Sequence, residues 1–341
     1  MNEIKEYIIK KSKELNIDLI GFADGNPLLD IKEYLHQRIN NSINTEFEEI
    51  DIEKRIDPKL TFPDCRSIIV IGLSYNVDYK MDDSNILKGS LSKSSWGIDY
   101  HKVLREKIEE LIHEIRKEID FNCKYFVDTG PLVDRELAKK AGIGYYGKNC
   151  SIINKEYGSF IFFGYILTDL DIDIEERVVE DECGDCNLCV KACPANSLDG
   201  KNSMNPKRCI SYLTQTKEII PEELMEKMGI RIYGCDTCQL ICPKNKGVKK
   251  STHREFIPEL TKGIIEIEEL LNMTNRQFKE KYGSMAGSWR GKNILKRNSI
   301  IALGNMKDKN NIDLLVEEKK KNIPLLNPYI DWAIDKIRNG H

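Results

Sequence analysis

The chain has 341 residues, 40% hydrophobic and 31% charged, with a formal net charge of -3 at pH 7. That length can bury a sizeable core and favours two or three domains, while the near-neutral balance excludes nucleic-acid binding by overall charge and leaves only a local basic patch. The longest apolar runs, around Ile68 to Leu73 and Phe160 to Leu167, are too short to cross a bilayer.

The N-terminus lacks a basic start followed by an apolar run, so no signal peptide is expected. In chain order, the apolar spacing predicts a helix over Glu3 to Leu15, a short strand over Ile17 to Phe22 and a second amphipathic helix over Leu29 to Ile39. Ile52 to Pro58 reads as a charged loop with a turn signal, Ser67 to Tyr75 as a buried strand, and Lys80 to Ser95 as a polar loop. Val103, Leu104, Ile108, Leu111, Ile112 and Ile115 trace one face of a long helix that ends near Ile119. Lys124 to Asp128 reads as a strand, and Pro131 is expected to open a helix to about Ala141. Gly142, Gly144 and Gly147 match G-x-G-x-x-G, but the run follows a helix and precedes the strand-like 151–154, the reverse of a dinucleotide loop. These glycines are read as sites of tight turning or close backbone approach. Gly158 to Leu167 adds another strand, and an acidic connector over Asp169 to Glu182 closes this part of the chain.

The next stretch carries the strongest chemical signal. Cys183, Cys186, Cys189 and Cys193, with Pro194, form C-x-x-C-x-x-C-x-x-x-C-P, the spacing of a bacterial ferredoxin cluster loop. Cys235, Cys238 and Cys242, with Pro243, repeat it without the first cysteine, for which Cys209 is the natural substitute. Eight thiolates suffice for two [4Fe-4S] clusters. Because the cysteine before proline points at the neighbouring cube, Cys183, Cys186, Cys189 and Cys242 are assigned to one cluster and Cys193, Cys209, Cys235 and Cys238 to the other. Paired C-x-x-C steps also suit zinc, but zinc knuckles lack the third step and the trailing proline. The eleven cysteines fit metal ligation in a reducing cytoplasm, with Cys65, Cys123 and Cys150 read as core thiols.

From Arg276 to Arg297 the basic residues Arg276, Lys279, Lys281, Arg290, Lys292, Lys296 and Arg297 face only Glu280, with Phe278, Tyr282 and Trp289 interleaved. Such a mixture serves phosphate contact and base stacking, although a charge run by itself is more often a solvated helical face. Helices are expected around Ile300 to Met306, Ile312 to Lys319 and Tyr329 to Ile337.

Taken together, Glu53 to Arg55, the Ser95-Trp96-Gly97 and Asp99-Tyr100-His101 run, Val127 to Pro131, Ala141 to Gly144, Gly147 to Asn149, both cysteine sets, Leu213 to Lys217 and Gly287 to Gly291 resemble the epoxyqueuosine reductases over nearly the whole chain. The resemblance implies an α+β protein with a mixed α/β cobalamin-binding domain like that of reductive dehalogenases (1–170), a double-cubane ferredoxin domain (171–250), and a basic segment with HEAT-like helices (251–341). Family members often carry a longer helical tail. The implied reaction converts epoxyqueuosine to queuosine in the anticodon loop of tRNA, in the cytoplasm, by a monomer fed from an external low-potential donor. Two one-electron clusters can deliver the electrons sequentially but cannot apply them to carbon, whereas cob(I)alamin can. The chain has no D-x-H-x-x-G corrinoid loop and no C-x-x-x-C-x-x-C radical motif, so cobalamin is implied by the resemblance alone.

On the same ground Asp128 is the general acid, against the alternative that it caps a helix starting at Pro131. That role asks burial to raise its pKa. Asp134 and Arg135, one turn later, are read as an exposed or structural pair. Arg55, Ser92, Asp128, Ile152, Phe163, Ser211 and Asp236 are implied cofactor contacts, the last two beside the cluster nearer the cobalt. Arg276, Lys279, Trp289, Arg290, Lys292, Lys296 and Arg297 are implied tRNA contacts, Trp289 as a stacking platform. Two other readings stay open: a reductive dehalogenase-like enzyme acting on a small halide, and a non-enzymatic ferredoxin with an accessory domain.

Overall fold

The structure, a computed structural model, describes residues 3–80, 87–175 and 177–340. Helix α1 (Glu3–Glu14) begins with Glu3 and Glu6 and ends with Lys11 and Lys13, which suits the macrodipole at both ends. Strand β1 (Leu19–Asp24) and helix α2 (Lys32–Asn40) follow, much as the spacing predicts. Ile52 to Pro58 is not a loop. It forms α3 (Ile52–Ile56) and runs into α4 (Pro58–Thr61), because Asp51 accepts from the N–H groups of Glu53 and Lys54, Asp57 accepts from that of Lys59, and Pro58 fits the first helical turn.

Strand β2 (Ser67–Ser74) is buried along its whole length. Strand β3 (Lys88–Leu91) lies within the expected 80–95 loop, of which 81–86 fall outside the described residues. Helix α5 (Tyr100–Arg116), capped by Asp99, buries the six apolar residues that mark its inner face. Strand β4 (Cys123–Phe126) precedes α6 (Asp134–Lys140). Pro131 does not open that helix: residues 127–133 are non-helical, with Asp128 in the left-handed region at φ 58°. Gly130 is pressed so close to the sheet that a Cβ there would lie 2.0 Å from the Tyr165 hydroxyl, and the chain turns helical only after leaving this contact. Strands β5 (Tyr145–Tyr146) and β6 (Ile152–Ile153) form a small ribbon around the Gly142 to Gly147 run. Strand β7 (Ile161–Thr168) completes a four-stranded antiparallel sheet in the order β1-β2-β7-β4.

The cysteine-rich part contributes α7 (Leu188–Ala192), α8 (Ile210–Leu213), α9 (Glu222–Met228), β8 (Arg231–Tyr233) and α10 (Thr237–Leu240). Beyond it come β9 (Ile264–Glu266), α11 (Ile267–Asn272), α12 (Asn275–Tyr282), α13 (Lys292–Met306), α14 (Ile312–Lys320) and α15 (Asn327–Asn339). A second sheet has the order β8-β3-β9, parallel at β3/β8 and antiparallel at β3/β9. It draws one strand from each of the three segments read from the sequence. One apolar cluster accordingly runs from Ile8 and Leu104 through Ile210 and Met228 to Leu295 and Ile337. A second, built from Ala23, Val70, Leu137 and Tyr165 among others, covers the other side of the main sheet. The architecture is mixed α/β, with a helical carboxy-terminal part.

Candidate active site and cluster-binding loops

The turn after β4 presents Asp128 with 63% of its side-chain surface open, at the amino-terminal end of α5. Asp99, the N-cap of that helix, accepts from the backbone N–H of His101 at 3.0 Å, and its Oδ1 lies 2.7 Å from His101 Nδ1. The opposite ring nitrogen, Nε2, stands 3.5 Å from Asp128 Oδ2. Desolvation, limited by this openness, would by itself push the Asp128 carboxyl up, but hydrogen bonding from His101 and Tyr100, with the charges of His101 and Arg135, holds it below the usual carboxylate range. Burial likewise opposes the charged form of His101, yet Asp128 and Asp99 outweigh it and raise the imidazole to about 9. The requirement that burial raise Asp128 is therefore not met in this arrangement. The capping alternative also fails, since the residue before α6 is Val133 and makes no side-chain cap.

Asp134 is half-buried, not exposed, and burial together with the Asp128 charge pushes its carboxyl up to about 7. Arg135 reaches across to donate to the Cys150 carbonyl at 2.8 Å. Behind this opening the Tyr100 ring stacks on Phe162 at 4.1 Å, and Phe162 on Tyr75 at 4.0 Å. The Tyr75 hydroxyl accepts from Gln239, beside Cys238, so an aromatic ladder joins the Asp128 site to a cysteine loop.

Cys183, Cys186, Cys189 and Cys242 line one cavity with Lys148, Asn149 and Lys244. After burial itself, Cys209, Cys235, Cys193 and Cys189 are the neighbours that raise the Cys238 thiol, and Cys235 and Cys193 do the same to Cys209, pushed up to about 11. Cys189 and Cys238 pack in one small apolar cluster with Cys193, so the two cysteine groups lie against one another. Burial, reinforced by neighbouring thiols, raises Cys183, Cys189 and Cys242 on one side and Cys209 and Cys238 on the other, and such thiols ionise readily only beside a compensating cation. Near the first quartet, Tyr145 Oη and Asn149 Nδ2 are buried donors with no partner among the described residues, and Tyr145 packs with Cys183 and Cys242. Cys65 is buried, Cys123 half-buried, and Cys150 packs beside Cys189.

Among the implied cofactor contacts, Ser92 and Asp236 come together. The Lys93 N–H donates to Asp236 at 2.7 Å, and Ser92 abuts Gly234 so closely that a Cβ there would lie 2.0 Å from its hydroxyl oxygen. Ser211 follows Cys209, whose thiol its backbone N–H helps to hold down. Ile152 is buried and Phe163 half-buried in the second apolar cluster, on the opposite side of the sheet from Phe162. Arg55 pairs with Glu48 at 2.9 Å, and Glu48 also binds Arg38.

A family model described as epoxyqueuosine reductase QueG, DUF1730 matches residues 55–129, and one described as a 4Fe-4S double cluster binding domain matches 182–245. The chain is 43% identical to an epoxyqueuosine reductase of Bacillus cereus, over 98% of this chain and 89% of that protein, and 40% identical to one of Lactococcus garvieae, over 100% and 98%. The chain belongs to the epoxyqueuosine reductase family. The solved epoxyqueuosine reductase of Streptococcus thermophilus superposes with a TM-score of 0.92 at 40% identity, over 98% of this chain and 90% of that one. An epoxyqueuosine reductase bound to an epoxyqueuosine-modified tRNA-Tyr stem loop gives 0.94 at 40% identity, with the same coverage. A Bacillus subtilis epoxyqueuosine reductase whose aspartate-bearing catalytic loop is swung out of the active site gives 0.93 at 39% identity, again over 98% and 90%.

Within this member of the epoxyqueuosine reductase family, the basic segment does not form one face. Arg276, Lys279 and Trp289 are exposed, Trp289 by 57%. Lys292 is half-buried and donates to the Met273 carbonyl. Arg290 is largely enclosed: it donates to the Gln215 carbonyl and lies over Trp289 at 4.5 Å and Phe47 at 5.0 Å. Lys296 and Arg297 cannot contact an outside RNA, being 3% and 0% exposed. Lys296 pairs with Glu318, while Arg297 donates to the Leu213 and Thr216 carbonyls. Phe47, 42% exposed and edge-on to Trp289, joins this surface from a distant part of the chain. No periodicity marks Phe47. The Asp99/His101 spacing at a helix start, by contrast, is a signal from which their pairing could have been read.

Proposed function

We propose that this chain reduces epoxyqueuosine to queuosine in the anticodon loop of tRNA, with Asp128 delivering protons to the departing oxygen. The observation that carries this is the near-full-length likeness to epoxyqueuosine reductases, one of them bound to the modified stem loop. Removal of the epoxide oxygen as water leaves an alkene and consumes two electrons and two protons. Two [4Fe-4S] clusters, on Cys183, Cys186, Cys189 and Cys242 and on Cys193, Cys209, Cys235 and Cys238, carry the electrons from an external low-potential donor. An opening with an exposed carboxylate (Asp128) and guanidinium (Arg135), backed by aromatic rings, suits a corrinoid with its polar rim and apolar faces. Ser92, Asp128, Ser211 and Asp236 would hold it, whereas Ile152 and Phe163 belong to the apolar cluster across the sheet from Phe162 and Arg55 is paired with Glu48. Bound there, cobalamin would supply the low-potential reducing chemistry that the clusters cannot apply to carbon themselves.

The protein's own groups do the rest. Asp128 addresses the oxygen, and Phe47 and Trp289 offer rings to unstacked bases, with Arg276 and Lys279 as phosphate contacts. The segments 1–170, 171–250 and 251–341 divide these tasks: a corrinoid domain of reductive-dehalogenase type, the cluster domain, and a basic segment with HEAT-like helices α13 to α15. No helix among the described residues is long and apolar enough to cross a membrane. The test is anaerobic loading with iron, sulfide and cobalamin, incubation with a strong reductant and epoxyqueuosine-containing tRNA, and nucleoside mass spectrometry. Queuosine is the expected product, and an unchanged epoxide in fully loaded protein would refute the reading.

A further inference from the structure

We propose that His101, clamped by Asp99, stores the proton that Asp128 passes to the substrate oxygen and reloads Asp128 during the reaction. This rests on the reading of Asp128 given above, and it is carried by geometry. Asp99 Oδ1 lies 2.7 Å from His101 Nδ1 and also accepts the backbone N–H of His101, which fixes the ring and leaves Nε2 toward Asp128 Oδ2 at 3.5 Å. The neighbouring Tyr100 ring stacks on the imidazole at 4.1 Å and is itself stacked on Phe162. Asp128 holds φ 58°, a conformation costly for an L residue that the surrounding contacts must maintain. The Gly130 contact with Tyr165 keeps the turn against the sheet.

In the resting site Asp128 is held ionised, and an ionised carboxylate has no proton to give. The proton sits one residue back, on an imidazole raised to about 9. Charged and titratable groups around the pair are Asp99, Tyr100 and Arg105 on α5, Asp134 and Arg135 on α6, and Tyr233 on β8. As the carbon–oxygen bond breaks, the reductive donor of the reaction supplies two electrons and the oxygen gains negative charge. Asp128 takes a proton from His101 Nε2 and passes it to that oxygen. The imidazole, a quarter of whose side chain is open, is reprotonated from solvent. Two passages complete the water molecule, so no group need hold both protons at once.

The test is nitrogen-15 histidine NMR on the full-length protein with oxidised clusters, in which the five histidines are few enough to separate and His101 is identified by its loss in His101→Gln. The expected result is a titration near 9 in the parent that falls toward the ordinary imidazole value of about 6.5 in Asp99→Asn, a substitution that keeps a good helix cap. Alongside it, Asp99→Asn should lower kcat on modified tRNA by about tenfold or more above pH 7, with KM and cofactor content unchanged and the deficit shrinking at lower pH. A parent titration near 6.5, or a pH–rate profile that does not move in Asp99→Asn, overturns the proposal. The NMR titration does not depend on turnover, so absence of epoxyqueuosine reduction by the parent protein would refute the proposed function without touching this measurement.

Discussion

At Asp128 the exposed carboxylate is useful only because its neighbours fix its protonation. The variant Asp128→Asn should lose turnover by about a hundredfold or more while keeping its iron and cobalt, which metal analysis beside the nucleoside assay would show. Near-parental turnover would remove Asp128 from the chemistry. Asp134 makes a separate prediction with a definite sign. Its folded pKa, raised from 3.8 to about 7, means that the folded protein holds this proton more tightly than the unfolded chain. The associated stabilisation is complete below about pH 4 and is lost as pH rises through about 7. Melting curves of Asp134→Asn should therefore lack this decline, and parallel curves for variant and parent would contradict it. At the cluster cavity, Tyr145→Phe removes a buried hydroxyl beside Cys183 and Cys242 that has no partner among the described residues. If that hydroxyl donates to the cluster, its loss should make one cluster harder to reduce by tens of mV, one net hydrogen bond being worth about 1 kcal/mol. Potentiometry followed by magnetic resonance reads the change.

Elements sort the basic residues into two populations that spacing alone cannot separate. α12 carries Arg276 and Lys279 into solvent, whereas α13 turns Lys296 inward toward α11 and Glu318 of α14, and Arg297 inward against the end of α8 and the loop that follows it. Arg297→Met would strand two backbone carbonyls in the core, at about 1–3 kcal/mol each, and should lower unfolding stability by about 2–5 kcal/mol in denaturant titrations. Arg276→Glu together with Lys279→Glu should leave stability within about 0.5 kcal/mol. The same double variant should weaken tRNA binding uniformly and reduce its salt dependence. A stable Arg297→Met protein with weakened RNA binding would reverse this assignment. The short helices α3 and α4 show the same dependence on detail, since a stretch that reads as a charged loop becomes helical where Asp51 and Asp57 cap it.

Across the whole molecule, the β8-β3-β9 sheet ties the cluster loops to the strands on either side. Unfolding followed by cluster absorbance and by far-ultraviolet circular dichroism should then give coincident transitions, whereas early loss of the clusters with the remaining fold intact would argue for an independent module.

The parts legible beforehand were those whose information is local. The cysteine spacings, the inner face of α5 and the apolar run of β2 lie within a few residues, and their periodicity follows from backbone geometry alone. What stayed hidden depended on partners far along the chain. β3 is a strand because β8 and β9 supply its hydrogen bonds, Phe47 meets Trp289 across most of the protein, and Arg297 is buried because carbonyls 81 and 84 residues away receive its donors. Where a charged side chain ends up is decided by the balance between desolvation and the partners that folding brings to it, and that balance does not exist until the chain has closed.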